Sequence, residues 1–207
     1  MGTAIRTFLP LLLCTAAFGQ YKAESAGAAP AEVPAAIGAV LQKDGAKITN
    51  NGAAYCEIWM RAQKPSGAPN QEGATLQGIP GGALLGVIRF DGKGADRRGQ
   101  GLKPGVYTLR YGLIPINGDH QGAAPQRDFL VLSPAVTDTD VNATPAFEAL
   151  MDMSRKASGT PHPAVLSFWK SDADAPMNVS RQGDDWVLQT KLGDTPVSVI
   201  VVGIASS

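Results

Sequence analysis

GQGLKPGVYTLRYGLIPINGDHQGAAPQRDFLVLSP, residues 99–134, sets two strand-patterned runs on either side of a polar loop. In 106–111, Val106, Thr108 and Arg110 alternate with Tyr107, Leu109 and Tyr111, the period-two pattern of a strand with two unlike faces. Residues 128–132 form the second run, and the polar stretch leading into it, up to its first residue, holds Asp119, His120, Arg127 and Asp128. That composition suits a site or a well-bonded loop. Arg110 stands on the semi-polar face of its strand, where a covered guanidinium requires a carboxylate. Asp128, Asp119 and Glu57 are its candidate partners, and either a structural ion pair or an anchor for an anionic ligand would use them.

The same patterning extends in both directions. Asn50-Asn51-Gly52 is a tight-turn signal between strand-like runs at 46–49 and 53–62, which predicts a hairpin. In the second run Ala54, Cys56, Ile58, Met60 and Ala62 share one face, and Tyr55, Glu57, Trp59 and Arg61 share the other. Further strands are expected at 83–90, 164–168 and 186–192, with a near-continuous apolar run at 196–202 typical of a central strand. Val33, Ala36, Ile37, Val40 and Leu41 recur at helical spacing, predicting a short helix that ends near Gly45. A second helix is expected after a Thr144-Pro145 cap, with Phe147, Leu150 and Met151 as its apolar stripe and Gly159 as its stop. Residues 64–82 and 91–101 read as connections, and the second lacks the strand-then-helix context of a phosphate loop. Seven to nine strands with two short helices predict a mainly β chain, an antiparallel β-sandwich of jelly-roll type.

The domain plan follows from the N-terminus. Arg6, the apolar run 7–18 and the small residues after it predict a signal peptide over 1–19, cleaved after Gly19. The run is shorter than the roughly 20 residues of a membrane span, so no stable span is expected after cleavage. Residues 20–32 read as a flexible lead-in, and 33–207 as a single domain. Cys56 is then the one cysteine of the mature chain, so no internal disulfide forms and the thiol is expected to point into the core.

Eighteen basic and eighteen acidic residues leave no net charge, which disfavours nucleic acid as a partner. His120 and His162 are the two histidines; the second is held between Pro161 and Pro163. Joined by Asp119 or Asp128 they would form a divalent-metal site, the donor set suiting zinc or iron, although no His-x-His or His-Glu-x-x-His spacing supports it. Serines 133, 154, 158 and 167 lack a nucleophile-elbow motif.

YTLRYGLIPINGDHQGAAPQRDF, with SRKASGTPHPAVLSF downstream, resembles a family of uncharacterised exported bacterial proteins. The resemblance implies export and a bacterial source and brings no activity or cofactor. It directs attention to Arg110, Asp119, His120, Arg127, Asp128 and His162. The expectation is a secreted or periplasmic module binding a small molecule, glycan or protein, with the 119–128 and 160–163 loops forming one rim. The rivals are a metal-dependent enzyme using His120 and His162 with Asp119 or Asp128, and an envelope interaction protein with an exposed strand edge.

Overall fold

The computed structural model describes residues 20–116, 126–172 and 174–204. Among these residues, twelve strands and two helices follow in the order β1 (Tyr21–Ser25), α1 (Ala35–Gly38), β2 (Ala46–Asn50), β3 (Ala53–Met60), β4 (Leu84–Phe90), β5 (Gly94–Ala95), β6 (Gly101–Leu102) and β7 (Gly105–Leu113). Then come β8 (Asp128–Pro134), α2 (Phe147–Ser158), β9 (Val165–Lys170), β10 (Asn178–Gln182), β11 (Asp185–Leu192) and β12 (Thr195–Val202). The chain is mainly β, as its patterning predicts.

The strands do not divide into two sheets. Ten of them form one antiparallel sheet in the order β1-β2-β3-β4-β7-β8-β9-β12-β11-β10, and β5 pairs with β6 as a small separate hairpin. The sheet curls until its edge strands β1 and β10 approach one another, giving a nearly closed barrel. Strand β9 makes the continuity, pairing with β8 on one side and β12 on the other. Alternation along a strand is the same for a sandwich and a barrel, so it could not distinguish them.

The interior is filled by one apolar cluster that includes Ile48, Cys56, Ile58, Leu109, Leu132, Phe168 and Val199. Cys56 is buried there, as its strand position predicts. Tyr55 departs from the expected alternation: β2 and β3 shift register so that Ile48 faces Cys56 and Thr49 faces Ala54, leaving Tyr55 as the extra residue of a bulge. Its ring packs on Tyr21 and Phe90 at 5.7 and 5.9 Å between centroids, joining a row that runs from Trp186 through Tyr21, Tyr55 and Phe90 to Tyr107.

The residues expected to be a flexible lead-in begin with β1, whose register with β2 pairs Tyr21 with Asn50 and Ser25 with Ala46. Side chains hold it as well: Ser25 Oγ donates to Asp44, and the Tyr21 ring reaches Trp186 across the gap between the sheet edges. The expected first helix shrinks to α1, four residues long. Val33, Ile37 and Leu41 nevertheless bury together against Trp59, Leu84 and Val87 on the outside of β3 and β4. Gly45 is required here, because a Cβ on it would lie 2.4 Å from Trp59 Nε1, which donates to the Gly27 carbonyl. Helix α2 covers the outside of β8, packing Leu150 and Met151 on Phe129 and Val131. It starts at Phe147 after Ala146, without a side-chain cap, so the expected Thr144 cap is not used.

Candidate functional site

Register defines two ends of the barrel. Leu113 pairs with Asp128 at one end of β7–β8, and Tyr107 pairs with Pro134 at the other. Phe129 pairs with Ser167 and Val131 with Val165, so β9 begins at the Pro134 end. Arg127 and Asp128 therefore stand at one end, and the 160–163 segment at the other, separated by about 17 Å of strand at ~3.4 Å per residue. These residues do not form the single rim expected of them. Asp119 and His120 lie outside the described residues, as do residues 1–19.

Arg110 is fully buried on the outer face of β7. Its partner is none of the three expected carboxylates but Asp138, in the connection from β8 to α2. Nε donates to Asp138 Oδ2 and Nη2 to Oδ1, each at 2.7 Å. The other N–H groups donate to the carbonyls of Gly82, Ala143 and Asp140 at 2.6–2.8 Å. Thr108 Oγ1 adds a hydrogen bond to Asp138 Oδ2. All five guanidinium donors are thus used by the protein, leaving none for an anionic ligand. The arrangement is a clamp holding the 135–146 connection on the barrel.

Asp128 is also fully buried and does similar work at its end of the barrel. Its carboxylate accepts from the Thr75 and Leu76 N–H groups at 2.8 and 3.1 Å, from Thr75 Oγ1 at 3.0 Å and from the Tyr111 hydroxyl at 2.7 Å. These bonds dock the long 61–83 connection, whose Leu76 and Ile79 enter the core and close that end. Burial, reinforced by the hydrogen bond to Asp128, pushes the Tyr111 hydroxyl pKa far above its usual value. Arg127 ties the same connection down, with Nε donating to the Ile114 carbonyl at 2.8 Å and Nη1 to the Glu72 carbonyl.

At the opposite end His162 is exposed. Its backbone N–H donates to Thr160 Oγ1 at 3.1 Å and its carbonyl accepts from Ser158 Oγ at 2.6 Å, so the nearby serine engages its main chain. Ser154 Oγ is likewise tied to the main chain of Ala164. Among the described residues no group of three or more His, Cys, Asp or Glu is arranged to hold a metal ion. Burial pushes the Cys56 thiol pKa far above its ordinary value, with the charge of Glu57 adding to the shift, which suits a core residue and not a nucleophile.

Among the described residues, two concavities at the Asp128 end stand out. One, of about 390 Å³, lies among the segment before β2, the segment before β10 and the end of β11. Gln42, Asp44, Asp174, Thr190 and Lys191 bring amide, carboxylate, hydroxyl and ammonium groups to it, above Ile58 and Met177. Lys191 Nζ pairs with Asp174 at 2.8 Å, and Gln42 Nε2 donates to the Lys191 carbonyl at 2.9 Å. The other, of about 330 Å³, is a more apolar groove between Ile79, Gly82, Gly112 and the start of α2 at Phe147. Sequence reasoning missed the cleft residues because they come from separate connections and form no motif. Asp138 had a signal in the Thr137-Asp138-Thr139-Asp140 run just past β8, which sets carboxylates beside the strand that carries Arg110.

The fold and these openings define a mainly β, barrel-like protein with a filled core and surface clefts. Compared with known proteins, the chain matches no family model, no curated protein and no solved structure.

Proposed function

We propose that the chain is an exported binding module that takes a sugar-sized, polyhydroxylated molecule in the cleft lined by Gln42, Asp44, Asp174, Thr190 and Lys191. The observation that carries this reading is the mixed lining: several hydrogen-bonding groups of both signs converge over the apolar side chains of Ile58 and Met177. Such a cleft suits a ligand with hydroxyls on its edges and C–H groups on its face, and about 390 Å³ lies within the range of small-molecule sites. The packed interior supports surface recognition over carriage inside the barrel. Export is supported by the N-terminal basic residue and apolar run.

The cleft keeps the expected use of end loops while changing which loops take part. Of the candidate ligands of a metal-dependent enzyme, His162 and Asp128 stand at opposite ends, and Asp119 and His120 lie outside the described residues. Titration of mature protein with a panel of mono- and oligosaccharides, followed by amide NMR, tests the reading. Shifts should cluster on residues 42–46, 174–177 and 190–193, and both Asp174→Ala and Lys191→Ala should weaken binding about tenfold, the loss of roughly 1.4 kcal/mol. Shifts elsewhere, or binding indifferent to both substitutions, would overturn it.

A further inference from the structure

The connection from β8 to α2 contains Asp140-Val141-Asn142-Ala143-Thr144. An asparagine two places before a threonine, with no proline between, is the acceptor pattern for an asparagine-linked glycan. Asn142 and Thr144 are both exposed, so the amide and the hydroxyl are on the surface. The main chain around them is held inward: Asp140 Oδ1 accepts from the N–H groups of Asn142 and Ala143 at 2.9 and 3.2 Å, and Arg110 donates to the carbonyls of Asp140 and Ala143.

We propose that Asn142 is a glycosylation site, taking an oligosaccharide from a polyprenyl-diphosphate carrier. The proposal rests on the exported reading, because carrier and transferase act on chains that have crossed a membrane. Asn142 Nδ2 attacks the anomeric carbon of the carrier's first sugar. The nitrogen–carbon bond forms, the carbon–oxygen bond to diphosphate breaks, polyprenyl diphosphate leaves with the electron pair, and the amide proton passes to a transferase carboxylate. Nothing is oxidised or reduced. Asp140 places a carboxylate two residues before the acceptor, where a cationic side chain of a transferase can pair with it.

Asn178-Val179-Ser180 carries the same acceptor pattern, with serine in place of threonine, and serves as an internal comparison. Pro176 occupies the corresponding upstream position, and Asn178 is paired with Gln189 in the β10–β11 ladder. Because Arg110 clamps the carbonyls of Asp140 and Ala143, on either side of Asn142, transfer takes place before the connection docks on the barrel. Thr144 lines the apolar groove beside Phe147, which is 43% exposed, so a glycan here would shield that surface.

The full chain would be expressed in a bacterial host carrying an asparagine-linked oligosaccharyltransferase and its lipid-linked glycan, and the tryptic peptide 128–155 analysed by mass spectrometry. Glycan should appear on that peptide and vanish in Asn142→Gln and Thr144→Ala. Asp140→Asn, which keeps an oxygen for the turn and removes the charge, should lower occupancy about tenfold. Exported chain with an unmodified peptide would overturn the site. Chain retained inside the cell would overturn the export reading instead, and the same protein behind an established export leader would then decide the site by the same peptide.

Discussion

Arg110 and Asp138 show how a charged residue singled out by its strand position can be wholly structural. Both are buried, and their attraction is supplemented by hydrogen bonds to every remaining guanidinium N–H. Removing one partner leaves the other as an uncompensated charge, so Asp138→Ala should destabilise the fold by about 3–5 kcal/mol. Urea denaturation checks this, and a loss below about 1 kcal/mol would rule out the clamp. Other buried groups govern alkaline stability. Burial raises the pKa of the Cys56 thiol and of the Tyr55 and Tyr111 hydroxyls above the ordinary values of 9.0 and 10.0, so the unfolded chain loses these protons first. Their contribution is fully present below about pH 9 and declines as pH rises toward the raised native values. The urea midpoint should therefore fall between pH 8 and pH 10.5, and fall less in a Cys56→Ser, Tyr111→Phe double variant. Equal falls in both proteins would assign the alkaline loss to other groups.

At the scale of elements, α2 and β1 show two ways in which context completes what local sequence leaves unfinished. Helix α2 has Arg155 and Lys156 in its last turn and a left-handed Gly159 at its end, as its sequence predicts. Its start is defined by packing, since Ala146 supplies no capping oxygen. Ala146 has φ −58° and ψ 155°, the extended conformation that capping residues adopt, so Ala146→Ser should stabilise the protein by about 1 kcal/mol. A thermal melt with no upward shift would argue against an available first-turn N–H. Strand β1 lacks the strong alternation of its neighbours and pairs along one edge only. Hydrogen exchange should find β1 amides opening more readily than those of β7 and β8, and Tyr21→Ala should accelerate β1 further by removing the ring contact to Trp186. Equal protection in β1 and β7 would show instead that the barrel opens as one unit.

For the whole molecule, antiparallel ladders between chain neighbours build most of the barrel, while side chains and connections close it. Rings span the gap between the sheet's edge strands, and Leu102 and Leu76 enter the core from connections at opposite ends. Much of this was legible locally. Alternation in β7 and the continuous apolar run of β12 identified strands, and Asn51 and Gly52, with φ of 50° and 85°, form the turn that their residue types predict. Strand β10 and the bulge at Tyr55 were not legible, because one is short and mostly exposed and the other depends on its partner's register. The mainly β class, the inward Cys56 and the placing of Arg110 with Val106 and Thr108 on one face of its strand were determined by the sequence itself, since side-chain direction along a strand follows from backbone geometry. Tertiary structure alone decided that one curled sheet replaces two, that Arg110 meets Asp138, that Asp128 and His162 are parted, and that the cleft residues meet. Each of these depends on which distant segments pair or pack, and a period-two pattern is silent about its partner.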